Sequence, residues 1–369
     1  MIYLDNAATT APLLELRDLP PLYNPSSLHG AGLAAEEAVK AASRTLAEIL
    51  RVSPEELIFT SGATESNNTA ILGALTGETG APRGKAREII TTEIEHPSVT
   101  ECFHNLEKRG FKGVYLKADE TGRISRDELL SAVSPQTALV SLFYVHNETG
   151  VINDIPGLAA EIKAESPETL IHTDAAQAFG KISLNLKNVD FASFCAHKIH
   201  GGKGAGGLLA RKALTPLMLG GGQQNGRRSG TVNAESIRDM AFAADFFHNH
   251  YEKFLERAES LRKNILQVQE KSGITVIDGG GRRSPYILSL SVPGARGEVL
   301  LNALSAEGIY VSAGSACNSR RQKAGVIRKI NPRAAEGSLR VSFAYSTTPE
   351  ECEAFKEALL RHTSSLRRN

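Results

Sequence analysis

Short apolar runs alternate along most of the chain with longer stretches in which apolar side chains recur at helical spacing. That is the pattern of a mainly parallel sheet covered by helices. The runs at 57–60, 88–92, 114–116, 138–144, 170–173, 191–195 and 207–210 predict strands. Between them, 32–50 places Leu33, Val39, Ala42, Leu46 and Ile49 at helical spacing, and 99–109 reads as a further helix. The segment 236–271 is charged, contains neither Gly nor Pro, and predicts one long helix leading to a second unit. Beyond it, strands predicted at 274–277, 287–292, 308–312 and 339–343 interleave with helices at 296–307 and 348–362, which suits a compact α+β domain. The expected fold is therefore α/β, with a large domain over 11–247 and a smaller α+β domain built from 1–10 and 248–369.

Composition narrows the function. The 369 residues carry 42 Lys plus Arg against 41 Asp plus Glu, a formal charge of +1, and 41% are hydrophobic. A disordered chain or a nucleic-acid binder with a broad basic face would look different. The length is ample for a core that needs neither disulfides nor structural metal. The four cysteines, Cys102, Cys195, Cys317 and Cys352, form no CxxC pair, so no disulfide framework and no metal site is expected. The opening MIYLDNAATT lacks the basic and apolar regions of a secretory signal, and no run approaches the roughly 18 apolar residues of a membrane span. A reducing, cytoplasmic setting without membrane contact is expected, in which each thiol is judged by its surroundings.

The chemistry concentrates where predicted strands end. Ala192-Ser-Phe-Cys-Ala-His-Lys198 is an apolar strand that stops in a His-Lys pair before a glycine-rich loop, and Leu170-Ile-His-Thr-Asp174 stops in a carboxylate. An arbitrary lysine after a strand is usually a surface group. Here two strand ends present an amine and an acid at the edge where open α/β sheets bind ligands. Pyridoxal phosphate needs that pair: a lysine to hold it covalently, and an acid to keep its pyridine nitrogen protonated. A phosphate cradle is also needed, and Phe59-Thr-Ser-Gly-Ala-Thr-Glu-Ser-Asn67 offers a strand, a glycine turn and the start of a helix. Such a turn is an ordinary helix cap when it stands alone. The glycines between Gly202 and Gly207 follow the lysine and lead into Leu208-Leu209 rather than into a helix, so dinucleotide binding is discounted.

With these stretches the sequence resembles the cysteine desulfurases of the NifS and IscS type, within the class V aminotransferase group of pyridoxal-phosphate enzymes. The resemblance runs through Tyr3-Leu-Asp-Asn-Ala-Ala-Thr-Thr10, Tyr23-Asn-Pro-Ser-Ser27, Thr60-Ser-Gly-Ala-Thr-Glu-Ser66, Glu95-His96-Pro97 and His146-Asn-Glu-Thr-Gly150. It continues through Asp174-Ala-Ala-Gln177, His197-Lys198, Arg228-Ser-Gly-Thr231, Gly314-Ser-Ala-Cys317 and Ser338-Leu-Arg340. It implies fold type I of the pyridoxal-phosphate transferases and pyridoxal 5'-phosphate as cofactor. Lys198 would bind that cofactor, Asp174 would pair with its ring nitrogen, and His96 would stack on the ring and move protons. Gln177 and Asn147 would meet the ring hydroxyl side, Ala63, Thr64 and His197 the phosphate. Thr231 would reach the phosphate in a neighbouring subunit, which implies a homodimer. Asn24, Asn147 and Arg340 would hold the substrate carboxylate, and Cys317 would take the sulfur of L-cysteine as a persulfide, releasing alanine. The sulfur would pass to an acceptor protein for iron–sulfur assembly or thiolation.

Selenocysteine lyase or another β-eliminating activity is the alternative within the group; a transaminase would leave Cys317 without a role. A non-catalytic sulfur carrier would not need Lys198 and Asp174. Four positions depart from the family pattern. Cys195 stands where a serine hydroxyl commonly meets the phosphate, and a thiol is a weaker donor. The stretch from Thr10 to Asn24 is short and holds Pro12, Pro20 and Pro21, so a helix usual there should be lost or reduced. Gln223 replaces a histidine, and the sequence ends at Asn369 without the longer tail by which IscS-type members engage a scaffold. The basic residues Arg320, Arg321 and Lys323 would favour a thiolate at Cys317 if they face it.

Overall fold

The computed structural model describes residues 1–76, 87–269, 273–277, 281–313 and 325–366. A two-residue strand β1 (Ile2–Tyr3) opens the chain. The predicted strands follow as β2 (Leu57–Thr60), β3 (Glu88–Thr92), β4 (Lys112–Leu116), β5 (Thr137–Phe143), β6 (Leu170–Asp174), β7 (Phe191–Cys195) and β8 (Gly206–Ala210), within a residue or two of expectation. They form one sheet in the order β2-β8-β7-β6-β5-β3-β4. Neighbours from β4 to β7 are parallel, and β8 runs antiparallel between β7 and β2. Reversal at β8 makes β2 run the same way as β7. Thr60, Thr92, Phe143, Asp174 and Cys195 therefore all end at one edge of the sheet.

Every residue of β2, β5, β7 and β8 is buried. These strands read as apolar runs without alternation because helices cover both faces. Their side chains still alternate in destination. Ile58, Leu139, Phe191 and Leu208 pack with Ile71 and Phe103 of α2 (Ala63–Leu75) and α3 (Pro97–Glu107). Phe59, Val140, Phe194 and Leu209 pack on the other face with Leu46 of α1 (Gly30–Leu50), Leu129 of α4 (Arg126–Ala132) and Ile162 of α5 (Ile155–Glu165).

The single long helix expected over 236–271 is two helices, α6 (Ala234–Asn249) and α7 (Tyr251–Leu266), broken at His250 with φ −117° and ψ 16°. The reason is a change of partner. Met240 and Ala244 of α6 belong to the layer over the large sheet, whereas Leu261 and Ile265 of α7 belong to a separate apolar cluster with Leu288, Val341 and Phe355. One straight helix cannot face both. The two ring systems next to the break, His250 and Phe254, stack at 5.4 Å.

The second cluster surrounds β9 (Thr275–Val276), β10 (Ile287–Ser291) and β12 (Ser338–Ser342), an antiparallel sheet in the order β12-β10-β9, while β11 (Ile309–Tyr310) pairs in parallel with β1. The chain start thus belongs to this end of the molecule and then crosses to the large sheet. Ala7 N donates to Ser342 Oγ at 2.8 Å, and Thr10 N donates to the His197 carbonyl at 2.9 Å. In the proline-bearing stretch after Thr10 only a 3-10 turn forms, Leu14–Asp18, as the prolines require. Among the described residues no helix is long and apolar enough to cross a membrane.

Candidate functional site

A cavity of about 1350 Å³ opens over the edge at which the parallel strands end. It is walled by the N-terminal crossing segment, the start of α2, the loop before α3, the loops after β5, β6 and β7, and Arg340 from β12. Ten of the predicted site residues line it together: Ala63, Thr64, His96, Asn147, Asp174, Gln177, Cys195, His197, Lys198 and Arg340. Asn24 does not. It is exposed, and its Oδ1 accepts from Ser26 N at 2.9 Å. Thr231 is also exposed and lies outside the cavity of its own chain. Cys317 lies outside the described residues, as do Arg320, Arg321 and Lys323.

Lys198 ends the turn that follows β7, and its Nζ donates to the carbonyls of Ala7 (2.5 Å) and Ala8 (2.6 Å) in the crossing segment. Burial holds its amine below the ordinary lysine value, Cys195 and Asp174 acting against that and Arg340 with it. Asp174, the last residue of β6, accepts from Ala176 N at 2.9 Å and from Asn67 Nδ2 at 2.8 Å. An amine and a carboxylate thus face one cavity without pairing with each other.

The start of α2 lines the cavity with Ser61, Gly62, Ala63 and Thr64. Gly62 at φ 157°, ψ 174° occupies a region essentially reserved for glycine, and as the N-cap it brings no side chain of its own to the first turn. Gly206, opposite Cys195 in β8, permits the close approach: a Cβ there would stand 2.6 Å from the Gly62 backbone. Cys195 is fully buried with the Ala63 N–H directed at its sulfur, and burial pushes its thiol up to about 11, so it stays protonated. His197 Nδ1 lies 3.1 Å from Thr9 Oγ1, and burial, with three lysines adding, lowers its pKa to about 4.

Arg340 is 3% exposed. Its guanidinium meets Asp5 at 2.7 Å and Glu148 at 3.1 Å, and it also donates to the Asn147 carbonyl. Two carboxylates from distant parts of the chain orient this cation. Glu95, beside His96, accepts from Phe143 N at 2.7 Å, and burial, reinforced by Asp174, raises its carboxyl well above the usual range. Asp5, Glu95 and Glu148 all stand inside the motifs quoted from the sequence. Adjacency to His96 and Asn147 was the one signal available for the latter two, and it does not disclose a role.

Residues 2–355 match the aminotransferase class-V family model, and the chain belongs to that family. Its architecture is the expected α/β fold type I, a mainly parallel sheet under helices beside a smaller α+β part. At the level of particular proteins, the chain is 36% identical to a protein named cysteine desulfurase IscS from Dictyoglomus turgidum, over 99% of this chain and 95% of that one. It is 38% identical to a NifS/IcsS protein homolog from Lactobacillus delbrueckii subsp. bulgaricus, over 96% and 95%. Among solved structures, a NifS-like protein superposes with a TM-score of 0.90 at 35% identity, covering 98% of this chain and 99% of that one. SspA in complex with cysteine superposes with a TM-score of 0.81 at 28% identity, over 94% and 100%.

Proposed function

We propose that this protein is a pyridoxal-phosphate-dependent cysteine desulfurase that turns L-cysteine into L-alanine and retains the sulfur as a persulfide on Cys317. The observation that carries the reading is one cavity holding a buried amine (Lys198), a buried carboxylate (Asp174), a helix start with a glycine N-cap and a buried guanidinium (Arg340), in a chain whose relatives are named for this activity. The residues present fit the cofactor: Lys198 would hold it, Asp174 would face its ring nitrogen, and Ala63, Thr64 and His197 would take its phosphate. The bound cofactor supplies an electron sink that weakens bonds at the substrate Cα.

The chain does the rest. Arg340, already oriented by Asp5 and Glu148, binds the substrate carboxylate. Lys198, with its amine's proton affinity lowered by burial, moves protons near neutral pH at lower cost than an exposed lysine. Cys317 Sγ attacks the substrate sulfur; the new S–S bond forms as the C–S electron pair returns to carbon, which takes a proton and leaves as alanine. We further propose a homodimer, supported by Thr231 lying exposed and outside the cavity of its own chain, and the division into a domain over 11–247 and one from 1–10 with 248–369. A cytoplasmic location and a sulfur-acceptor protein in iron–sulfur assembly or thiolation complete the reading.

Incubation with L-cysteine and a thiol reductant should release alanine and sulfide in equal amounts; no alanine overturns the reading. Selenocysteine turned over while cysteine is not would favour the lyase alternative. Gly206→Ala tests the cradle. The added Cβ pushes against Gly62, and cofactor affinity is expected to fall about tenfold, near 1.4 kcal/mol, read by titrating the cofactor-free protein through its absorbance. Unchanged affinity would remove the turn from the phosphate site.

A further inference from the structure

Asn67, on the inner face of α2, is fully buried, and it joins two groups of the site that no sequence pattern connects. Its Nδ2 donates to Asp174 Oδ2 at 2.8 Å and to Ser98 Oγ at 2.9 Å. Ser98 Oγ in turn lies 2.7 Å from His96 Nδ1, and Ser98 N donates to the same nitrogen at 3.1 Å. The directions follow from donor chemistry. An ionised carboxylate only accepts, so the group of Asn67 that faces it is the amide NH₂, with its second hydrogen on Ser98 Oγ. Because the Ser98 N–H already meets Nδ1 as an acceptor, the Ser98 hydroxyl, which accepts from Asn67, is the donor across the 2.7 Å contact with His96. Nδ1 then faces an N–H and an O–H together and serves as an acceptor, which places the ring proton on Nε2.

We propose that Asn67 is a positioning residue: by donating to both Asp174 and Ser98 it sets the direction of a hydrogen-bond relay that leaves His96 neutral, with its proton on Nε2. Protonating Nδ1 would turn a donor against the Ser98 N–H and force the Ser98 hydroxyl to swing its hydrogen away from the ring, with the Asn67 N–H still in front of its oxygen. The charged groups facing His96 are Asp174 and Lys198. Burial lowers the ring's pKa, outweighing the Asp174 carboxylate, and Lys198 adds to the lowering. At the cofactor, His96 would offer an N–H rather than a lone pair, so it would donate a hydrogen bond in its resting state. The relay also ties the tautomer to the ionisation of Asp174, because a neutral Asp174 would let the Asn67 amide turn over.

The tautomer itself stands on the hydrogen bonds; its catalytic meaning rests on the cysteine desulfurase reading. Cofactor-loaded protein with ¹⁵N-labelled histidine reports it directly through long-range ¹H–¹⁵N spectra, with His96 assigned by the signal missing in His96→Gln. The wild type is expected to show a single Nε2–H ring that stays neutral below the ordinary histidine midpoint. Asn67→Asp keeps the shape but turns a donor into an acceptor, so the relay reverses. Proton density should move to Nδ1, and the titration midpoint should rise by about one pH unit, tenfold in proton affinity. Asn67→Leu removes the donor without adding a charge and should raise the midpoint by a smaller step. An Nδ1–H ring in the wild type, or an unchanged ring in either folded variant, overturns the relay. A wild type with the expected ring that releases no alanine overturns the functional reading instead.

Discussion

Lys198→Ala is expected to lose the visible absorption band of the bound cofactor and to reduce alanine release from L-cysteine by roughly 10³-fold or more. The amine is placed by the turn after β7 and by two carbonyls of the N-terminal crossing segment, so it depends on contacts far apart in the chain. Its nearest chemical substitute is Lys181, which burial brings down to about 7, with Lys198 adding to the shift. That amine donates to Gln177 Oε1 at 3.3 Å and does not line the cavity. Rescue by it is not expected. Lys198→Arg keeps the positive charge yet cannot form the covalent link, and it should lose the band as completely. A Lys198→Ala protein that keeps both the band and the turnover would remove Lys198 from the mechanism.

The second large effect is expected at Cys317. Its replacement by alanine should leave the cofactor band in place while alanine release again falls by roughly 10³-fold, and the added sulfur atom seen by mass on the wild-type Cys317 peptide should disappear. The other three thiols argue for this assignment. Cys102, Cys195 and Cys352 are buried, and burial pushes them up to about 12, about 11 and about 12. The sign is decisive: a thiol whose pKa is raised stays protonated at neutral pH, and the thiolate is the nucleophile. Cys102 donates to the Ser98 carbonyl and Cys352 packs among apolar residues, so alanine at either should cost stability rather than turnover. A persulfide found on Cys195, or undiminished alanine release from Cys317→Ala, would refute the assignment.

Much of the site was legible because its residues stand at strand ends. Apolar runs closed by Asp174 and by His197-Lys198 mark where a covered parallel sheet exposes its edge, and the glycine turn after β2 marks the start of a helix. These signals are local, carried by a few consecutive residues. The break at His250 was not legible, since neither Gly nor Pro marks it; it arises because α6 and α7 pack on different clusters. Asn24 illustrates the opposite case: its motif is present, yet the residue is exposed and outside the cavity.

The sequence by itself determined the α/β class, the strand ends that carry chemistry, and a family resemblance that the comparisons bear out. The tertiary structure alone decided how those groups are held. Arg340 is gripped by Asp5 and Glu148, which are 335 and 192 positions away, and Asn67 spans 107 positions to Asp174. Periodicity along a chain records which face a residue turns inward. It holds no record of which distant polar group meets it there, because that depends on strand order and register. Four cysteines that looked equivalent by composition are separated on the same ground. Three are described in buried surroundings that keep them protonated, which leaves Cys317 as the proposed sulfur carrier.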